Sequence, residues 1–213
     1  MKLVRLQWLG VEKFAFRPGQ WVGVFCENFL GANNKPLRRA FSIASVPGEH
    51  FIELCIARGQ QLSAHLQDLP AGAKVSVDGP FGAFWLRPAE KYLFIAGGTG
   101  IAPLRPMIHE ALKGNKEVTL LYSMKTPSDF IYRTELEEFA KNPKFKLVRT
   151  ITENHAFPAW QAERGRVQNL LKKYWKQGMH VYVCGPALMV DDVQKLLVSF
   201  GQAKEAVFVD KWE

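Results

Sequence analysis

The 213-residue sequence predicts an all-β antiparallel barrel followed by an α/β unit built on a parallel sheet, and three observations carry that expectation. Up to Arg87, short β-rich runs alternate with Gly, Pro and Asn punctuation at the spacing of a small barrel. From Lys91 the rhythm lengthens into alternating strand and helix patterns, as a parallel sheet with crossover helices requires. The third observation is the run Tyr92-Leu93-Phe94-Ile95-Ala96-Gly97-Gly98-Thr99-Gly100-Ile101-Ala102-Pro103, in which an apolar strand meets a glycine turn and a proline opens a helix. Two units are expected, 1–88 and 89–213, with the seam at Leu86-Arg87-Pro88-Ala89.

In the first unit the strand candidates are 19–25, 41–44, 51–56 and 74–77, rich in β-branched and aromatic residues. Turns fall at Arg17-Pro18-Gly19, Gly31-Ala32-Asn33-Asn34, Val46-Pro47-Gly48 and Pro70-Ala71-Gly72, and one short helical pattern covers 62–69. The second unit offers strands near 91–97, 117–123, 145–151, 180–184 and 206–209. Helical patterns lie near 103–113, 133–141, 166–175 and 187–200. Ligands of such a sheet sit at the carboxyl ends of its strands, and both Gly98-Thr99-Gly100 and Cys184-Gly185-Pro186 fall there.

Composition narrows the function classes. The net charge of +8 is spread evenly, with ten Lys/Arg against six Asp/Glu in 1–88 and eighteen against fourteen beyond. Such a balance favours solubility and attraction of an acidic partner over nucleic-acid binding. No apolar run approaches the roughly 20 residues of a membrane span, and the start of the chain lacks a secretory pattern, so a cytoplasmic protein is expected. Cys26, Cys55 and Cys184 are too few and too scattered for a four-thiolate metal or iron-sulfur site, so no metal is expected.

The glycine turn suits a nucleotide pyrophosphate. At Gly97, Gly98 and Gly100 no side chain keeps a phosphate from the backbone N–H groups, and the helix start near Pro103 favours negative charge. Taken alone, the same spacing is also that of an ordinary strand-to-helix turn. Within the barrel, Arg39-Ala40-Phe41-Ser42 puts a guanidinium, a ring and a hydroxyl on one strand. Read in isolation, it is a surface arginine beside a core phenylalanine. The functional alternative is a phosphate neutralised by Arg39, a flat ring system packed on Phe41 and a hydrogen bond from Ser42.

The order of these motifs resembles the ferredoxin-NADP reductase superfamily over nearly the whole chain. Arg39-Ala40-Phe41-Ser42 is similar to its Arg-x-Tyr-Ser/Thr flavin motif, and the 97–103 turn is similar to its pyridine-nucleotide loop. Cys184-Gly185-Pro186 with Met189 resembles its nicotinamide-side motif, and Gly79-Pro80-Phe81-Gly82 its Gly-Pro-x-Gly turn. The resemblance implies FAD on the barrel and NADH or NADPH on the sheet. It places Arg39 on the FAD pyrophosphate, with Ala40 beside it in the motif. Phe41 falls on the isoalloxazine or ribityl, and Ser42 near flavin N5. Cys55, Ile56 and Ala57 would supply backbone contacts, Leu62 and Ser63 would meet the pyrophosphate at a helix start, and Thr99 would lie between the cofactors. Cys184 would lie against the nicotinamide in a packing and polarising role. Trp212 reads either as a flavin shield or as an anchor of the last strand.

Three departures from the family pattern stand out. Phe41 replaces the usual tyrosine and gives up a hydrogen bond worth roughly 1 kcal/mol. Gly59-Gln60-Gln61-Leu62-Ser63 carries glutamine where a second glycine is common. The first barrel strand usual in the family is missing or supplied differently, since the chain opens at Leu3-Val4-Arg5.

The implied activity is hydride transfer from NAD(P)H to FAD, then electron delivery to an acidic ferredoxin-like carrier or an oxygenase component. Alternatives are a reductase of ferric chelates, quinones or free flavin, and a non-catalytic nucleotide-binding subunit. For the choice of nucleotide, Ser123, Lys125 and Arg133 offer partners to a 2′-phosphate, and no acidic residue stands at that strand end to hold a ribose diol, which leans to NADPH.

Overall fold

The computed structural model describes residues 1–10, 14–153 and 156–212. In the first half, Lys2–Leu6 (β1), Trp21–Phe25 (β2), Arg39–Ser42 (β3), Ile52–Ile56 (β4) and Ser76–Phe81 (β5) form two antiparallel sheets, β1-β4 and β3-β2-β5. A single bridge, Ile43 to Leu54, links them. The antiparallel first unit expected from the strand spacing is formed, with no closure of the two sheets into a full barrel among the described residues. Just past β3, Ala44 shares a small buried cluster with Cys55 of β4 and Ala102 of the second half, so this stretch serves as a contact face.

Val22, Val24, Ile43, Leu54 and Ile56 fill the core of this half, closed by Leu62 and Leu66 of Leu62–Asp68 (α1). The start of the chain is itself part of a sheet. Lys2–Leu6 is itself a strand, running antiparallel along the full length of β4 from Lys2 opposite Ile56 to Leu6 opposite Ile52. β5 also reaches further than the sequence pattern, through Gly79-Pro80 to Phe81. Proline is tolerated there because β5 is an edge strand.

Residues 82–90 carry the chain across. They are stitched to the second half by two tyrosines: the Arg87 amide donates to the Tyr182 hydroxyl at 2.6 Å, and the Ala89 amide to the Tyr92 hydroxyl at 2.8 Å.

The second half is a six-stranded sheet of Lys91–Gly97 (β6), Glu117–Met124 (β7), Phe145–Ile151 (β8), Glu163–Arg164 (β9), His180–Pro186 (β10) and Val207–Trp212 (β11). Its order, β11-β10-β6-β7-β8-β9, is parallel throughout. Ile101–Lys113 (α2) and Arg133–Phe139 (α3) cover one face over Phe94, Tyr122 and Tyr182. Leu171–Tyr174 (α4) and Ala187–Ser199 (α5) cover the other over Leu93, Leu121 and Val183. Truncating a fully buried side chain such as Leu104 to alanine costs about 2–5 kcal/mol in such packing. The helix after the glycine turn begins at Ile101, two residues before the proline expected to open it. Pro103 is still harmless, because amides of the first helical turn have no intrahelical partner to lose.

From β6 the strand order runs outward in both directions, toward β7 on one side and β10 on the other. A crevice opens at such a switch point, above the carboxyl ends of β6 and β10.

Candidate functional site

The crevice floor is made by two loops that interlock through their glycines. A Cβ on Gly97 would come within 2.8 Å of the Met189 sulfur and 2.9 Å of Pro186, and one on Gly185 within 2.6 Å of the Met189 methyl. A Cβ on Gly100 would overlap the Cys184 carbonyl. These three glycines are needed for packing between the two loops, a role beyond the approach of phosphate expected at Gly97 and Gly100. Gly98 differs: its φ is +54°, and nothing lies within 4 Å of where its Cβ would be. Gly98 and the half-buried Thr99 are the part of the loop that faces open space.

Cys184 is fully enclosed on the α2 side of the sheet. Burial pushes its thiol well above the usual range, and the Asp210 carboxylate adds to the shift, so the sulfur stays protonated and unreactive. Asp210 is the neighbouring residue in register on β11, and its Oδ2 accepts a long contact from Cys184 Sγ at 4.0 Å. Burial raises the Asp210 carboxyl as well. Sequence reasoning missed Asp210, although an acid ending the apolar run Val207-Phe208-Val209 was a visible signal. Two residues on, Trp212 pairs in register with Pro186 and is 39% exposed, so its ring is available beside the crevice.

On β3 and just before it, two adjacent arginines have different partners. Arg38 Nε donates to both carboxylate oxygens of Asp78 at 2.9 and 3.0 Å and lies over the rings of Trp21 and Phe81. Arg39 is exposed, and its side chain makes no hydrogen bond or ion pair among the described residues. Ala40 is exposed. Phe41 is half-buried, one side packed on the Val22 core cluster, and Ser42 is half-buried opposite Trp21.

Residues 94–195 match the oxidoreductase NAD-binding domain. Ferredoxin-NADP reductase B of Sorangium cellulosum is 32% identical over 95% of this chain and 87% of its own length. The chain belongs to the ferredoxin-NADP reductase family. A component of the Na(+)-translocating NADH-quinone reductase of Methylococcus capsulatus is 29% identical over 82% of this chain, which spans about half (49%) of that component. In fold, the chain resembles the ferredoxin NADP+ reductase of Neisseria gonorrhoeae, solved with bound FAD and NADP. That likeness has a TM-score of 0.79 and 19% identity, over 99% of this chain and 92% of that one.

As a member of this family the protein is an FAD-dependent NAD(P)H oxidoreductase, and its residues fit both cofactors. Arg39 is an uncommitted cation. The first turn of α1 has no side-chain cap, so the amides at Leu62 and Ser63 are free of one, while the Leu62 side chain is locked into the core and Ser63 is buried beside Gly59. Along Cys55-Ile56-Ala57 the expected backbone contacts are restricted. The Ile56 carbonyl already accepts from Gln67 Nε2 at 2.8 Å, whereas Ala57 is exposed. The Cys55 thiol, pushed up to about 12 by burial, packs toward Ala102.

At the β7 end, Ser123 is buried beside Gly97 in register and Lys125 is exposed. Arg133 pairs with Glu137 at 3.1 Å and, with Arg149, Phe130 and Trp160, lines a cavity of about 390 Å³. No helix among the described residues is long and apolar enough to cross a membrane.

Proposed function

We propose that this reductase takes hydride from NAD(P)H bound on residues 89–213 into FAD bound on residues 1–88, and delivers electrons to a separate acidic carrier protein of the ferredoxin kind or to an oxygenase component. The observation that carries this reading is the contact of Ala44, two residues past Ser42, with Ala102, two residues past Gly100. The flavin motif and the nucleotide loop thereby open on one seam.

FAD supplies the step between a two-electron donor and one-electron acceptors. The chain's own residues position and shield. Arg39 neutralises the FAD pyrophosphate, aided by the uncapped amides at Leu62 and Ser63, and the exposed side of Phe41 packs on the ring system. Ser42 holds the ring edge, Gly98 and Thr99 admit the nucleotide, and Cys184, backed by Asp210, gives the nicotinamide a dry wall. Lys125 and Ser123 hold the 2′-phosphate end. Trp212 covers the open side of the rings.

Anaerobic addition of NADH or NADPH to FAD-reconstituted protein tests the reading. Bleaching of the flavin is expected; persistence of the yellow oxidised spectrum with both nucleotides would overturn it. A quinone is the second acceptor reading, favoured by the likeness to part of an NADH-quinone reductase. Comparing turnover on a ferredoxin and on a soluble quinone separates the two.

A further inference from the structure

A buried charge network ties the two halves together at the seam. Arg105, the fifth residue of α2, is 9% exposed, and Glu53 of β4 is 2% exposed. Arg105 donates through Nη1 to the Ala44 carbonyl at 2.6 Å. It also forks onto Glu135 of α3, with Nε to Oε2 at 2.6 Å and Nη2 to Oε1 at 2.7 Å. Its guanidinium lies 4.7 Å from the centre of the Tyr132 ring, whose hydroxyl donates to Glu53 Oε1 at 2.9 Å. Arg5 donates to Glu53 Oε2 at 2.7 Å, and His109 Nε2 pairs with Glu135 Oε1 at 2.8 Å. Strands β1 and β4, the end of β3 and helices α2 and α3 thus meet in one cluster.

Stability alone is a weak reason for such a cluster, because desolvating Glu53, the Arg105 guanidinium and most of Glu135 costs about as much as their attraction returns. Geometry is a stronger one. A planar guanidinium held by a carboxylate fork and a carbonyl has one orientation, which an apolar contact would not impose. Arg105 lies five residues past Gly100, and its acceptor Ala44 lies two residues past Ser42. With the fork to Glu135 fixing the guanidinium on the second half, sliding that half along the seam would take Arg105 Nη1 from the Ala44 carbonyl and the Tyr132 hydroxyl from Glu53, so the offset between the two motifs has a single well-satisfied value.

We propose that Arg105 is a positioning residue for hydride transfer: by tying Ala44 to Glu135 it sets the separation of the Ser42 side from the Gly98-Thr99 side of the crevice. The inference rests on the function proposed above. Its effect belongs in the transfer rate and not in cofactor affinity, because Arg105 reaches neither motif directly.

The test compares wild type with Arg105→Lys, Arg105→Met, Tyr132→Phe and Glu135→Gln. For Arg105→Met the limiting rate of flavin reduction in stopped flow should fall by about 10²-fold, the usual penalty for roughly 1 Å of misplacement. Arg105→Lys, which keeps the charge and loses the fork, should fall by less, and the long-wavelength charge-transfer absorbance of the nucleotide complex should weaken in step. FAD and nucleotide affinities should stay near wild type. A wild-type rate in folded Arg105→Met, or a loss that follows FAD affinity, would overturn the proposal. Should Arg105→Met not fold, Tyr132→Phe and Glu135→Gln decide: slower reduction at unchanged affinity supports it, and unchanged rates overturn it. Hydrogen exchange of the apoprotein gives a readout independent of turnover. Residues 44–53 and 101–105 should lose protection together in the Arg105 and Glu135 variants, and independent behaviour of the two segments refutes the tie. Wild type that is not reduced at all would instead remove the function reading.

Discussion

Arg38 and Arg39 are adjacent in sequence, yet only Arg38 is held by a carboxylate, its Nε lying 2.9 and 3.0 Å from the Asp78 oxygens. One consequence is a pair of contrasting variants. Arg39→Ala should weaken FAD binding by roughly 1.5–3 kcal/mol, since a charge-assisted phosphate contact is lost. Arg38→Ala should leave FAD affinity near wild type and act on thermal stability instead. Fluorescence titration of the apoprotein with FAD reads both. Equal losses from the two would show that Arg39 has no special role.

The glycine loop offers a second contrast. Gly100→Ala should lower the melting temperature sharply, because its Cβ would overlap the Cys184 carbonyl on the neighbouring strand. Gly98→Ala has room for the methyl group but sits at φ +54°, a strain of about 1–2 kcal/mol, so it should fold and lose affinity for the nucleotide. Calorimetry and nucleotide titration on the two variants separate packing from binding.

Ser42→Ala and Cys184→Ala should slow flavin reduction while FAD and nucleotide binding remain nearly intact, as the proposed function puts both at the reacting atoms and not at the phosphates. Stopped-flow bleaching measures this. The Cys184 thiol, raised by complete burial, should also resist alkylation in the native protein at about pH 8. Rapid labelling of Cys184 would contradict its placement.

How much of this was legible beforehand depended on distance along the chain. The second half was read nearly element by element, because strands of the form Tyr92-Leu93-Phe94-Ile95 and their helices carry local apolar patterns. β1 was less legible, as Lys2-Leu3-Val4-Arg5-Leu6 alternates but needs β4, some fifty residues away, to become a strand. Arg39 was legible from its motif, whereas the partner that holds Arg38, Asp78, lies 40 residues on. Arg105 gave no local signal at all, since its acceptors Ala44 and Glu135 lie 61 and 30 residues away. Motif order was local and named the candidate residues; partner choice was long-range and waited for the fold.

Acid should loosen the seam. Burial works to raise the Glu135 carboxyl, but hydrogen bonds from His109 and Arg105 prevail and hold it at about 2, below its ordinary 4.5. A carboxyl depressed on folding adds stability above its unfolded value, and that stability is lost as pH falls from about 4.5 toward 2. Melting temperatures of wild type and Glu135→Gln should therefore converge across that window. A constant difference down to about pH 2 would place the stabilisation elsewhere.

If the electron acceptor is an acidic protein, its reduction should slow steeply with salt, because exposed charges are screened over about 8–10 Å at roughly 0.1–0.15 M. Reduction of a neutral quinone should change little. A parallel salt series on both acceptors is the measurement, and identical responses would count against a carrier protein.

The interlocked glycines divide the crevice into parts with different freedom to vary. Because Gly97, Gly100 and Gly185 leave no room for a side chain between the two loops, the floor of the nucleotide site can change only by concerted substitution. On the proposed function Gly98, Ser123 and Lys125 stand on its rim, where Gly98 is held by its φ of +54° and the exposed Lys125 is open to replacement by itself. A change of preference between NADH and NADPH would then be a task for the rim at Lys125, apart from the floor where the two loops interlock.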